Sequence, residues 1–284
     1  MIRLLFSFLL ASLLYEVKSQ ETHVYVSPHP DDWQLFMNPS AYESLQDTTN
    51  TVIFLHTTAG DAGYGMTNRD YALAREEGSL RAIRFLVNSL RSRGLGPMPK
   101  PNMETVEGHE IRKYQYGNAI AYFLRLPDGN FLGPGYERHG FTSLRKIFQR
   151  KVSSISAIDG STTYNSLEDL QKTIVSLIGR DKELYLNVAE TDTLANPKDH
   201  ADHQFSSHII QSIVDQLQPK RIRYYQEYAT SKKPMNVEGP LFLICAGAWG
   251  ATASGLSDYG HNSTWDNTHN AWIGRQYFRE ELFE

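Results

Sequence analysis

HVYVSPHPDDW, residues 23–33, decides how the rest of the chain reads. Its first five residues form a β-branched and aromatic run, which has the composition of a buried strand. Pro28 and Pro30 stop the run, because proline has no N–H for a sheet ladder and fixes its own φ. A stiff loop therefore opens where the strand ends. It carries one imidazole, His29, and two carboxylates, Asp31 and Asp32.

Outward from this point, strands and helices alternate. TVIFLHT, residues 51–57, is a second strand, stopped by Ala-Gly-Asp-Ala-Gly. Over about 68–93, Leu73, Leu80, Ile83, Val87 and Leu90 recur at three- and four-residue intervals among charges, as an amphipathic helix requires, and Gly94 suits its C-cap. An apolar stretch at 119–126 follows, then a helix at 167–178, a strand at 183–188, a helix over about 202–217 and a strand at 221–225. Repeated strand–helix–strand order predicts an α/β fold, a mainly parallel sheet flanked by helices. No repeat or linker divides the chain, so residues 20–284 read as a single domain.

Ligands in such sheets bind beyond the carboxyl ends of the strands. Segments 28–34, 58–66 and 190–203 all follow predicted strands and are expected to meet on that edge. The third of these holds Asp199-His200-Ala201-Asp202-His203 at the start of a predicted helix. His200 and His203 are three apart and can share one side of the first turn. A stiff loop suits a metal site, and with His29 and Asp32 as ligands Asp31 is left free to act as a base. Nitrogen and carboxylate donors together favour zinc, or another borderline divalent ion, over calcium or magnesium. Two histidines and one aspartate would leave a coordination position open for water.

Each half also has a plainer reading. HPDD could be a turn whose aspartates cap a helix, and HADH could be a polar helix start with Asp202 as cap and exposed histidines. Together, on two strand-following loops, they favour the metal site.

The paired motifs resemble those of the PIG-L/LmbE-type N-acetylglucosaminyl deacetylases: Pro28-His29-Pro30-Asp31-Asp32 with His200-Ala201-Asp202-His203. Thr57-Thr58-Ala59-Gly60-Asp61-Ala62-Gly63 and Arg75-Glu76-Glu77-Gly78 are also similar to stretches of that family. The resemblance runs from about residue 22 to 228; residues 229–284 have no matched counterpart. The family's loop often has an acid after the paired aspartates, where this chain has Trp33.

The resemblance implies a Rossmann-like fold and one zinc ion bound by His29, Asp32 and His203. It also implies that Asp31 is the general base, and that His200 is a cationic group steadying the oxyanion. Zinc would activate a water and polarise an acetamide carbonyl. Asp202, between the two histidines, is expected to orient His200 and raise its pKa. The implied reaction is removal of the acetyl group from an N-acetylated sugar or glycan. Hydrolysis of another N-acyl amide uses the same machinery, and a glycan-binding protein without turnover would have no need of Asp31.

Other residues carry weaker expectations. Arg75, Asp128 and Arg138 are candidate substrate contacts, Arg75 being equally readable as half of an exposed pair with Glu76. His56 reads as a core histidine and His208 as a helix-flank one. Trp249, Tyr259, Trp265, Trp272 and Tyr277 form an aromatic-rich tail that either stacks on sugar rings or simply packs.

Met-Ile-Arg, an apolar run at 4–14 and small residues near Ser19 have the layout of a cleaved secretory signal peptide over residues 1–19. That run is too short to span a bilayer comfortably, so no stable membrane span is expected after cleavage, the alternative being an uncleaved anchor. Removing 1–19 leaves 26 basic against 31 acidic residues, a net of −5, which attracts neither nucleic acid nor an anionic membrane. Cys245 is the single cysteine, so no internal disulfide can form. Asn262-Ser263-Thr264 is a glycosylation sequon, of use only in a eukaryotic secretory pathway.

Overall fold

A computed structural model describes residues 19–66, 70–180 and 183–283. The signal peptide expected at 1–19 lies outside the described residues except for Ser19.

The elements run β1 (Thr22–Ser27), α1 (Ser40–Gln46), β2 (Thr51–Thr58), α2 (Tyr71–Ser89), β3 (Asn102–Val106), β4 (His109–Tyr116), β5 (Ala119–Leu126), α3 (Leu144–Phe148), β6 (Ile155–Ser156), β7 (Thr163–Tyr164), α4 (Leu167–Ile178), β8 (Leu184–Ala189), α5 (Ala201–Ser212), α6 (Val214–Leu217), β9 (Arg221–Gln226), α7 (Gly239–Asp258), α8 (Asn267–Asn270) and β10 (Tyr277–Leu282). Eight strands make one sheet in the order β10-β9-β8-β1-β2-β5-β4-β3, and β6 pairs with β7 apart from it.

The five central strands, β9, β8, β1, β2 and β5, are parallel; β10 and the β3–β4 pair add antiparallel edges. After β1 the chain steps outward through β2 and β5, then returns to the other side of β1 through β8 and β9. This reversal is the Rossmann-like arrangement. It leaves a crevice between the strand ends of β1 and β8, where the loops that follow them diverge to opposite faces.

Side chains of one strand alternate between two cores, as a period of two demands. Val24, Val26, Ile53, Leu55, Leu184 and Leu186 face α4 and α5, while Tyr25, Val52, Phe54, Ala121 and Phe123 face α2 and α7. Both faces are covered, which is why the central strands read as continuous apolar runs.

Helix α2 ends at Ser89 with Leu90 as its cap, so Gly94 is not the C-cap. The helix predicted over 202–217 is broken at Ile213 into α5 and α6. The apolar stretch at 119–126 is the strand β5. The C-terminal segment is more than a tail: α7 lies along α2, and a Cβ on Gly255 would stand 2.5 Å from the Gly78 Cα, so the two backbones cross in contact. By length and composition α7 is apolar enough to cross a membrane; Cys245, Ala248, Trp249, Thr252 and Leu256 are its buried side.

Candidate metal centre and active-site cleft

The β1 loop is held by its own polar groups. Ser27 Oγ donates to the His29 carbonyl and accepts from Trp33 N, and the Pro28 carbonyl accepts from Thr58 N at 2.9 Å. The His29 N–H donates to Asp32 Oδ2 at 2.6 Å. Asp32 N–H donates to the His29 carbonyl at 3.3 Å, so HPDD does make a turn, but Asp32 makes no side-chain capping bond to the helical turn at Trp33–Met37, and the capping half of that reading is not what the chain builds.

Across the crevice, α5 begins after β8. His200 is its N-cap, and its Nδ1 accepts from Asp202 N at 3.1 Å. His200 and His203 are both buried, so the exposed-histidine reading of HADH fails as well.

The two loops bring three donors together. His203 Nε2 lies 3.2 Å from His29 Nδ1 and 3.3 Å from Asp32 Oδ1, and His29 Nδ1 lies 3.4 Å from Asp32 Oδ2. Bonds of about 2.0–2.1 Å around a tetrahedral zinc put neighbouring ligand atoms roughly 3.3 Å apart. The two ring nitrogens stand at that spacing, and Asp32 turns a different oxygen toward each of them, Oδ2 to His29 and Oδ1 to His203. The opposite nitrogen of each ring is taken by a carboxylate: His29 Nε2 by Asp202 at 3.3 Å, and His203 Nδ1 by Asp199 at 2.8 Å, with Glu227 also against it. An N–H donated to a carboxylate leaves the lone pair on the other nitrogen, which is the tautomer a metal needs.

His200 also places a ring nitrogen within 4.8 Å of those of His29 and His203. Its tautomer sets it apart. Because Nδ1 accepts a backbone N–H, the neutral ring carries its proton on Nε2, which points a donor, not a lone pair, into the cleft.

Charge supports a cation here. Asp31, Asp32, Asp128, Asp199, Asp202 and Glu227 are all buried, and uncompensated burial of anions is expensive. Burial disfavours charge on His29, but Asp32 and Asp202 outweigh it and hold its pKa up at about 10. Burial likewise opposes charge on His203, which Asp199, Asp32 and Glu227 push well above the usual histidine range. Burial lifts Glu227 to about 8. The two facing ring nitrogens thus sit in a field that favours positive charge. His200 goes the other way: burial and the neighbouring His29 lower it to about 3, so it is neutral.

A cleft of about 200 Å³ opens onto these groups, lined by His29, Asp31, Asp32, Arg75, Asp128, His200, Tyr228, His269 and Trp272 among others. Arg75, on α2, forms an ion pair with Asp31 and donates to the Gly60 carbonyl at 2.6 Å. Asp128 accepts from Asn130 N at 2.8 Å and lies 3.8 Å from His200 Nε2.

No family model matches the chain, and no curated protein matches it. Among solved structures it is similar to the N,N'-diacetylchitobiose deacetylase from Pyrococcus horikoshii complexed with an inhibitor, at 15% identity over 92% of this chain and 84% of that one, with a TM-score of 0.47. A conserved protein from Thermus thermophilus matches at 14% identity over 90% and 91% of the two chains, TM-score 0.42. A 4-carboxy-2-hydroxymuconate hydratase from Pseudomonas putida matches at 10% identity over 89% and 82%, TM-score 0.40. Likenesses of this depth carry no functional argument, and the site is read from its own groups.

Three sequence expectations are corrected by that site. The Asp202 carboxylate faces His29 Nε2, accepts from Gly129 N at 2.9 Å and lies 3.8 Å from His200 Nδ1; its charge raises the His200 pKa as expected, but burial and His29 outweigh it, so His200 is neutral and not cationic, its tautomer set by the Asp202 backbone. A Cβ on Gly129 would stand 2.4 Å from Asp202 Oδ1, so the close approach requires glycine there. Arg138 is exposed, packs against Gly65 and does not line the cleft. Arg75 lines it, but its partner is Asp31; Glu76 is buried and bonds Arg125 instead.

Glu227, Tyr228 and His269 escaped the sequence reading. Glu227 and Tyr228 follow β9 directly, and the rule that ligands gather beyond parallel strand ends, applied to that strand, would have flagged them. His269 had no comparable signal.

Proposed function

We propose that this chain is a metal-dependent hydrolase of an N-acyl amide, of the PIG-L/LmbE deacetylase type, with zinc as its ion and an N-acetylated amino sugar as its substrate. One observation carries the reading. His29 Nδ1 and His203 Nε2 face each other at the spacing of zinc-ligand atoms with an Asp32 oxygen against each, both rings are anchored from behind by buried carboxylates, and Asp31 stands beside them, paired with Arg75. The motif resemblance at 28–32 and 200–203 agrees with it.

His29, Asp32 and His203 would hold the ion. When bound, it supplies Lewis acidity toward a water and an acyl carbonyl oxygen. Asp31, steered by Arg75, takes a proton from the attacking water as its oxygen bonds to the acyl carbon. The carbonyl oxygen then gains negative charge, and His200 donates its Nε2–H to it as a neutral hydrogen-bond donor. Asp31 returns the proton to the nitrogen, the C–N bond breaks, and a free amine and a carboxylic acid depart.

Retention of a proton acceptor in the cleft favours turnover over mere glycan binding. Export through the segment at 1–19 is part of the same proposal. Metal analysis of the purified protein, with acetate release from N-acetylglucosamine before and after chelation, tests it. Stoichiometric zinc and chelator-sensitive release are expected; a metal-free protein that still releases acetate would refute it.

A further inference from the structure

The proposed reaction uses one side of the cleft and leaves the other unexplained. That other side is built by Tyr228, at the end of the motif resemblance, and by Trp272 and His269 of the C-terminal segment, which it does not reach. Trp272 lies against Tyr228, ring centroids 5.2 Å apart and 21° between planes, and its Nε1 donates to the Tyr228 carbonyl at 3.2 Å. These rings make an apolar wall facing Asp31, Arg75 and Asp128.

His269 is the polar group in that wall. Asp266 holds its Nδ1 with oxygens at 2.9 and 3.0 Å and also accepts its backbone N–H at 3.0 Å. The ring stacks on Trp249, 5.8 Å between centroids and 19° between planes, and meets Trp272 edge-on at 5.8 Å. The imidazole is thus fixed in orientation, while its Nε2 has no bonding partner among the described residues. A histidine packed on two tryptophans and steered by a carboxylate, with one nitrogen left over in a cleft, is organised to hydrogen-bond a ligand.

We propose that His269 Nε2 and the Tyr228–Trp272 wall form a subsite for a sugar ring, His269 bonding a ring hydroxyl while the aromatic side chains cover the ring's C–H surface. The chemistry matches both halves: a pyranose has an apolar face and a hydroxyl-bearing edge, whereas a plain hydrocarbon offers nothing to His269. Asp266 acts through His269 as a positioning residue. This rests on the amide-hydrolase reading and assigns the residues that hold its sugar ring.

Calorimetric titration of Asp31→Asn protein, which should bind without turnover, separates the two. The probes are N-acetylglucosamine and N-cyclohexylacetamide, the same amide on a six-membered ring without hydroxyls. His269→Asn, which reaches only the Nδ1 position, should weaken N-acetylglucosamine about 5- to 10-fold, the loss of one hydrogen bond. His269→Gln, whose amide reaches the Nε2 position, should restore most of that, and neither change should alter N-cyclohexylacetamide affinity. Unchanged sugar affinity in His269→Asn, or equal loss for both probes, overturns the subsite alone. Asp31→Asn protein that binds neither probe, or prefers the hydroxyl-free one, overturns the saccharide reading with it.

Discussion

His29 Nδ1 and His203 Nε2, 174 residues apart in sequence, face each other at 3.2 Å. Two imidazole nitrogens at that distance need something positive between them, a proton or a metal ion. Asp202 and Asp199, bonded to the far nitrogens of the two rings, take the N–H of each and leave its lone pair free for that role.

The anchoring carboxylates should therefore control metal affinity. Asp199→Ala and Asp202→Ala are each expected to weaken zinc binding about 10- to 100-fold, measured by competition with a chromophoric chelator. His203→Ala should lose the ion altogether. Parental affinity in Asp202→Ala would mean that its carboxylate does not serve His29.

Asp31→Asn should keep a full complement of metal, since Asp31 pairs with Arg75 and stands outside the donor set. Turnover should fall by about 10²- to 10⁴-fold, the usual contribution of a general base. Steady-state acetate release beside metal analysis reads both quantities; a variant as active as the parent removes Asp31 from the mechanism.

His56 makes stability depend on pH. It is fully buried in β2, stacked on Phe123 with its Nε2 3.1 Å from Ser79 Oγ, and burial pushes its pKa down to about 4. An unfolded histidine titrates near 6.5, at about 1.4 kcal/mol per unit of difference. Between those values the unfolded chain takes up a proton that the folded one refuses. Stability should then fall as pH drops from about 6.5 to about 4, by roughly 3 kcal/mol, and level off below. His56→Gln removes this contribution, so the gap between parent and variant in urea unfolding should narrow from pH 7.5 to 4.5. A gap that stays constant would assign the pH dependence to other groups.

The crossing of α2 and α7 tolerates no side chain at its centre. Helix propensity alone favours alanine over glycine by about 1 kcal/mol, yet a Cβ on Gly255 would lie 2.5 Å from Gly78 backbone atoms. Gly255→Val should therefore destabilise by about 1–3 kcal/mol, seen as a lower urea midpoint. A midpoint equal to the parent's would show that the helices can part without loss.

The chain by itself determined the frame of this protein. Apolar runs stopped by proline or glycine marked the parallel strands, and the rule that ligands gather at their carboxyl ends placed HPDD and HADH on one edge. The ligand residue types are local as well, because each motif confines its histidines and acids to a few positions of one loop. What only the tertiary structure decided is which atom of each group faces which neighbour. That the Asp202 carboxylate reaches His29, that Arg75 steers Asp31, that Glu227 arrives behind His203 and that His269 closes the far wall all depend on pairings between distant segments. The physical reason is that periodicity specifies which side of an element is buried, whereas tautomers and ion pairs are set by the order in which strands dock side by side, and no local pattern encodes that order.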